Sequence, residues 1–148
     1  MKIAIDHDGT CMLHPGIYRQ LIDSFRAAGH EVGIITGRSD ETEYYDKRRL
    51  DKNGIRYDFF WSSGMMNEEE ISLLEKIDAG KLHMDRDTVC CHFKMRLCEE
   101  KGVDILFDDN ADTIRLFATD GKVLVLKSPT ENNMPIPKWG KHTLVYTD

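Results

Sequence analysis

Short apolar runs alternate with amphipathic stretches along this chain. Residues 2–5 form a β-branched run that stops at Asp6-His7-Asp8-Gly9-Thr10, the pattern of a buried strand entering a polar turn. Ile17, Leu21, Ile22, Phe25 and Ala28 then recur at helical spacing after Pro15-Gly16, and Gly29 supplies the stop. Val32, Ile34 and Ile35 mark a second strand over residues 31–36, with Gly37 directly after it. Ser39 is placed as the N-cap of a charged helix that runs to Asn53 and closes at Gly54. Residues 55–61, aromatic and β-branched, predict a third strand. Asn67 precedes three glutamates suited to the positive end of a helix carrying Ile71, Leu74 and Ile77, and Gly80 ends it. Residues 81–92 have no clean period and read as loop, followed by a helix over 93–101 stopped by Gly102. A fourth strand over 103–107 ends at Asp108-Asp109, and a short helix over 111–119 and a fifth strand over 123–126 follow. The tail from Lys127 holds three of the four prolines and reads as loop, with residues 142–146 as an added edge strand.

Such alternation predicts an α/β fold: a three-layer, Rossmann-like domain with a central, mostly parallel sheet of about five strands. A length of 148 residues suits one domain without a linker. Ligands of such sheets bind at the carboxyl ends of the strands. The polar clusters fall there: Asp6 and Asp8 after the first strand, Thr36-Gly37-Arg38 after the second, Asp108-Asp109 after the fourth. One sheet edge would thus gather four carboxylates, a hydroxyl and a guanidinium.

Composition narrows the function classes. No apolar run approaches the ~20 residues of a membrane helix. The N-terminus turns acidic at Asp6, which argues against a signal peptide, and the four cysteines show no framework spacing. Reduced thiols in a cytoplasmic protein are expected. The net charge of −6 disfavours tight, sequence-blind binding to long nucleic acid, yet leaves room for a small anionic ligand at one site.

The sequence Asp6-x-Asp8-Gly9-Thr10 after the first strand, Thr36-Gly37 after the second, Lys94 opening a later helix and Asp108-Asp109 after the fourth strand together resemble the haloacid dehalogenase superfamily of phosphohydrolases, over residues 1–126. The resemblance implies that Asp6 is the nucleophile, forming an aspartyl-phosphate. It implies that Asp8 is general acid to the leaving oxygen and then general base to water. Mg²⁺ would be held by Asp6, the backbone carbonyl of Asp8 and Asp108, an all-oxygen set suited to that ion. Asp109 would hold a metal-bound water or orient Lys94. Thr36 and the Gly37 amide would grip phosphoryl oxygens, and Lys94 would offset the negative charge. An acid at position 8 is the phosphatase pattern, so the dehalogenase branch is disfavoured.

Core elements fill the stretches where cap domains would be inserted, so the chain resembles a capless member. The short step from Lys94 to Asp108 is similar to small nucleotidase and polynucleotide 3′-phosphatase branches. An open site implies a large substrate, a cap borrowed from a neighbouring subunit in a homo-oligomer, or poor selectivity. The acidic balance favours a small phosphorylated metabolite or nucleotide as substrate. A polynucleotide or protein phosphatase is the alternative, which a basic stripe beside the metal site would favour. A non-catalytic phosphate- or partner-binding module is the third reading, and the intact Asp6/Asp8 pair argues against it. Cys90-Cys91-His92, with Cys98 nearby, fits no zinc spacing and is read as buried thiols. His7 is expected to point away from the site. Arg38 is read equally as a substrate contact or a surface arginine, and Trp61 and Trp139 as packing residues.

Overall fold

The computed structural model describes residues 1–130. The expected edge strand at 142–146 and Trp139 lie outside them. Five strands form one sheet: β1 (Lys2–Asp6), β2 (Glu31–Ile35), β3 (Phe59–Trp61), β4 (Ile105–Asp108) and β5 (Leu124–Lys127). Their order is β3-β2-β1-β4-β5 and every pairing is parallel. Helices α1 (Pro15–Ala27) and α2 (Glu43–Lys52) follow β1 and β2. Helices α3 (Glu68–Asp78), α4 (Arg86–Glu100) and α5 (Ala111–Arg115) complete the order among the described residues. This is the α/β, Rossmann-like three-layer arrangement expected from the alternation.

Strand alternation divides the core. Ile3, Ile5, Val32 and Ile34 pack with Tyr18 and Ile22 of α1 and Leu50 of α2 on one face. Ala4, Ile35 and Leu106 pack with Phe93, Met95 and Leu97 of α4 and Ile114 of α5 on the other. Covered on both faces, the strands need apolar side chains in both directions, which is why they read as near-continuous runs. Trp61 belongs to this second core, as expected.

Winding runs outward from β1 to β3 and then crosses to β4 on the opposite side of β1. The carboxyl end of β1 is therefore the switch point at which neighbouring loops diverge and leave a crevice.

Three expected boundaries change. Residues 81–92 are not all loop: α4 starts at Arg86, and Asp85 caps it by accepting from the Asp87 N–H at 3.0 Å. Cys90, Cys91 and His92 are thus helical, and Lys94 lies inside α4 rather than opening it. The third strand is only Phe59–Trp61, because Ile55 turns its N–H back to the Leu50 carbonyl and closes α2. The helix over 111–119 stops at Arg115, whose side chain reaches the Val125 carbonyl of β5.

Helix α3 is fastened to α4 by a buried carboxylate. Asn67 and Glu70 form a reciprocal capping box, worth about 0.5–2 kcal/mol to a helix start. The same Glu70 carboxylate accepts from Arg96 Nε and Nη2 at 2.8–3.0 Å and lies 2.7 Å from His92 Nδ1. Burial pushes the Glu70 carboxyl up, but Arg96, the Asn67 amide and His92 outweigh it and hold it below its ordinary value.

Candidate active site

The turn that leaves β1 does most of the positioning. Over His7–Cys11 the chain bends so that the Met12 N–H closes on the His7 carbonyl at 2.9 Å, and Gly9 sits at φ +75°. A side chain is excluded at Gly9 twice over. The backbone lies in the left-handed region, and a Cβ would stand 2.7 Å from Asp109 Oδ2. Thr10 ties the ends of two strands together: its hydroxyl donates to Asp6 Oδ2 at 3.0 Å and accepts from the Asp109 N–H at 3.1 Å. Sequence reasoning left Thr10 without a role, although it stands in the motif.

Between the ends of β1 and β4 lies a buried ion triad. Lys94 Nζ donates to Asp6 Oδ1 at 2.6 Å and to Asp108 Oδ2 at 2.7 Å. Asp6 and Lys94 are nearly inaccessible and Asp108 fully so. The Asn110 N–H satisfies the second oxygen of Asp108 at 2.8 Å. Burial disfavours the Lys94 ammonium, but the two carboxylates outweigh it and hold its pKa above the ordinary value. Burial raises the Asp6 carboxyl; Lys94 opposes that rise and Asp108 adds to it. Asp109, half-buried, is also raised, first by burial and then by Asp108.

Three carboxylates thus crowd against one ammonium. Oxygens of Asp6, Asp108 and Asp109 lie within 4.8 Å of one another, an all-oxygen group of the kind that hard divalent cations take. The donor set fits such an ion, because burial first, and the neighbouring carboxylates after it, raise Asp6 and Asp109, and a dication would offset both. Asp109 joins the two expected side-chain ligands, Asp6 and Asp108; the expected ligand at Asp8 is its backbone carbonyl, and the Asp8 carboxylate stands apart from the group. Asp8 instead faces Arg38, with Nη1 3.3 and 3.4 Å from its two oxygens, and Arg49 Nη1 lies 4.0 Å away. It is drawn to these guanidinium groups on the far side of the turn. Lys94 bonds Asp108 and not Asp109, so Asp109 does not orient the ammonium.

His7 does not line the cleft, yet it is not remote from the site. Fully buried, its Nδ1 lies 3.2 Å from Asp8 Oδ1. Burial raises the Asp8 carboxyl, but His7 and Arg38 outweigh it and hold it below its ordinary value. Arg38 also reaches Asp46 at 3.3 Å, so it is a fixed element of the site rather than a loose surface side chain.

Asp6, Asp8, Thr36, Gly37, Lys94 and Asp109 all line one cleft of about 530 Å³, a size suited to a small ligand or the end of a larger one. Thr36 is buried at the end of β2, and its Oγ1 accepts from the Arg38 N–H at 3.1 Å. Gly37 passes so close to α4 that a Cβ there would meet Cys90 Sγ at 2.8 Å. The outer wall carries residues that the motifs did not reveal: Leu74 of α3, Ser63, and Arg86, Asp87 and Cys90 of α4. Misplacing the start of α4 hid the last three. All four cysteines are free, with Cys11, Cys91 and Cys98 buried and Cys90 half-buried.

No known family model matches the chain, and no curated protein matches it. Among solved structures, it is similar to a chain in the structure of the Pnkp1/Rnl/Hen1 RNA repair complex, at a TM-score of 0.49 and 17% identity. That likeness covers 85% of this chain and 42% of that one, so the present chain spans less than half of that neighbour. It is also similar to a universal stress protein in complex with cAMP, at a TM-score of 0.48 and 10% identity, over 87% of this chain and 98% of the other. Likeness at this level assigns no activity.

Proposed function

We propose that the chain is a phosphohydrolase that cleaves phosphate monoesters with the help of Mg²⁺ and an aspartyl-phosphate intermediate on Asp6. The observation that carries this reading is the buried triad of Asp6, Lys94 and Asp108, with Asp109 beside it, at the carboxyl end of a parallel sheet. Asp6, Asp108 and Asp109 would hold the cation, whose charge would let an anionic ester approach an anionic nucleophile. The chemistry then falls to the chain's own groups. An Asp6 carboxylate oxygen bonds to phosphorus as the bond from phosphorus to the ester oxygen breaks, and Asp8 delivers the proton that the departing oxygen needs. Water next attacks phosphorus, Asp8 takes its proton, and the Asp6–phosphorus bond breaks to release phosphate. Lys94 stays charged throughout and holds Asp6 in one orientation. Thr36 and the Gly37 N–H border the space for the phosphoryl oxygens.

Asp8 rests as a carboxylate beside Arg38 and His7. An arriving dianionic phosphate competes for Arg38 and weakens that hold, which favours protonation of Asp8 when the acid is needed. The test is a panel of phosphate esters, p-nitrophenyl phosphate included, assayed with Mg²⁺ and with a chelator. Hydrolysis with Mg²⁺ and silence in chelator are expected. No hydrolysis of any ester by the folded protein would overturn the reading and leave a binding module.

A further inference from the structure

Asp46 of α2 is a buried charge that neither the core nor the proposed chemistry accounts for. Four carboxylates are buried among the described residues: Asp6, Asp46, Glu70 and Asp108. Asp6, Asp108 and Glu70 each accept at least one bond of 2.8 Å or shorter from Lys94 or Arg96. Asp46 is held more loosely. Its Oδ2 accepts from the Thr42 hydroxyl at 3.2 Å, and its Oδ1 accepts no hydrogen bond, although Arg38 Nε stands 3.3 Å away. Burying a charge on such terms is unfavourable. A helix start is served as well by a solvent-exposed acid, and Glu43 already stands in that turn.

Arg38 explains the arrangement. Its guanidinium lies between two carboxylates and gives each a different nitrogen: Nε faces Asp46, and Nη1 faces the two Asp8 oxygens at 3.3 and 3.4 Å. All three distances exceed the about 2.7–2.9 Å of a fully made guanidinium–carboxylate bond. Neither acid has closed on the arginine, because each holds it off the other. Arg38 and Asp8 line the cleft, and Asp46 stands behind them. A phosphoryl group that takes Nη1 from Asp8 removes one of the two pulls. Nε can then close on Asp46 and complete the missing bond to Oδ1, which offsets part of the cost of leaving Asp8. Asp8 keeps a cation nearby, because Arg49 Nη1 lies 4.0 Å from its Oδ1. We propose that Asp46 is the positioning residue of Arg38: it anchors the guanidinium by Nε, so that Nη1 is released from Asp8 and, with Nη2, grips two oxygens of the bound phosphoryl group. The inference rests on the phosphohydrolase reading in taking the anion to be an ester. Had Asp46 merely competed with the ligand for Arg38, its removal would tighten anion binding. For an anchor the sign is opposite. Without Asp46, Arg38 closes on Asp8 as its one carboxylate, and an anion must break that pair without compensation.

The experiment is a double-mutant cycle on Asp46→Asn and Arg38→Met in the full chain with Mg²⁺. It reads KM and kcat on p-nitrophenyl phosphate, the Kd of inorganic phosphate by calorimetry, and the melting temperature. Asp46→Asn is expected to raise KM and the phosphate Kd about fivefold or more while kcat moves less, the pattern of lost ligand binding. Arg38→Met should raise both about tenfold or more. Adding Asp46→Asn to Arg38→Met should then change neither by more than about twofold, because the anchor has nothing left to hold. It should also raise the melting temperature of Arg38→Met by removing a stranded buried charge. Values lowered or unchanged by Asp46→Asn alone, or raised by the same factor in both backgrounds, would overturn the proposal. So would a melting temperature lowered equally in both backgrounds, which marks a helix-start role. Arg38→Lys covers a failure of Asp46→Asn to fold. It keeps a charge beside Asp8 but has no Nε to anchor, so the same rise is expected, and unchanged values would overturn the proposal. Phosphate binding separates this inference from the reading it rests on. If no ester is hydrolysed but the phosphate Kd follows the expected pattern, the phosphohydrolase reading fails and the anchor stands. If esters are hydrolysed while KM and Kd ignore Asp46, the anchor alone fails. A wild type that neither hydrolyses esters nor binds phosphate would overturn both.

Discussion

Lys94→Met gives the most direct test of the buried triad. The substitution keeps an unbranched side chain of similar volume, so the packing loss is small. It removes the ammonium that lies 2.6 Å from Asp6 and 2.7 Å from Asp108, both nearly or wholly inaccessible. Removing one partner of a buried ion pair costs about 3–5 kcal/mol, because the remaining charge is stranded. At roughly 2–4 °C per kcal/mol for a chain of this size, the melting temperature in chelator should drop by about 6–20 °C. The loss should depend on pH with a definite sign. Asp6 and Asp109 already have folded pKa values above the ordinary 3.8. An acid raised on folding binds more protons in the folded state, so it lowers stability as pH rises from 3.8 through the raised folded value. Without Lys94 these carboxyls rise further, so the variant's deficit should be small near the bottom of that window and grow toward its top. A divalent cation binding the three carboxylates stabilises the fold by RT ln(1 + [L]/Kd), about 2.7 kcal/mol at one hundred times Kd. With no ammonium competing, Mg²⁺ should raise the variant's melting temperature more than the wild type's. Thermal unfolding by circular dichroism, with chelator or Mg²⁺ across the acid-to-neutral range, reads all three effects. A loss under about 1 kcal/mol in chelator at the top of that window, or a deficit that shrinks as pH rises, would refute the reasoning.

Asp6→Asn should fold normally and lose about 10⁴-fold in turnover, equivalent to about 5.4 kcal/mol of barrier; activity within about tenfold of wild type would remove Asp6 as the nucleophile. Asp8→Asn should lose about 10²–10⁴-fold on esters with poor leaving groups and less on p-nitrophenyl phosphate, where departure needs little protonation. Equal losses on both would remove Asp8 as the acid. Asp109→Ala should raise the Mg²⁺ concentration needed for half-maximal activity, as Asp108→Ala should, because both carboxylates belong to the same 4.8 Å group. An unchanged requirement in Asp109→Ala would take it out of the cation site.

The strand ends were legible because parallel strands buried on both faces leave an apolar run that breaks sharply where the chain meets solvent. Asp6, Thr36 and Asp108 each stand at such a break, and all three are buried there. Helix α4 was not legible in full. Val89, Cys91, Phe93, Met95 and Leu97 alternate along the sequence like a strand, and Lys94 and Cys98 are buried with them. A helix covered by the sheet on one side and by α3 on another has no clean polar face, so helical periodicity is lost. The same covering brings Arg86, Asp87 and Cys90 to the cleft, out of reach of any motif.

Asp108 and Asp109 show where reading by periodicity stops. Successive residues of a strand point to opposite faces, which would send the two carboxylates apart. β4 ends at Asp108, however, and Thr10 captures the Asp109 N–H as the chain turns. Gly9, without a Cβ, leaves the space that the Asp109 carboxylate occupies. The pairing of Asp109 with Asp6 therefore depends on two residues of the β1 turn, one hundred positions earlier in the chain for Gly9. A motif of adjacent acids gives the residue types for a cation site; the turn beside it decides which of them share the site. By the same logic the turn sends Asp8 outward to Arg38 and Arg49, so the proposed acid stands between the carboxylate group and these two guanidinium groups. An ester whose phosphate lay against Asp6 would then carry its leaving group past Asp8, on the side of Arg38 and Arg49.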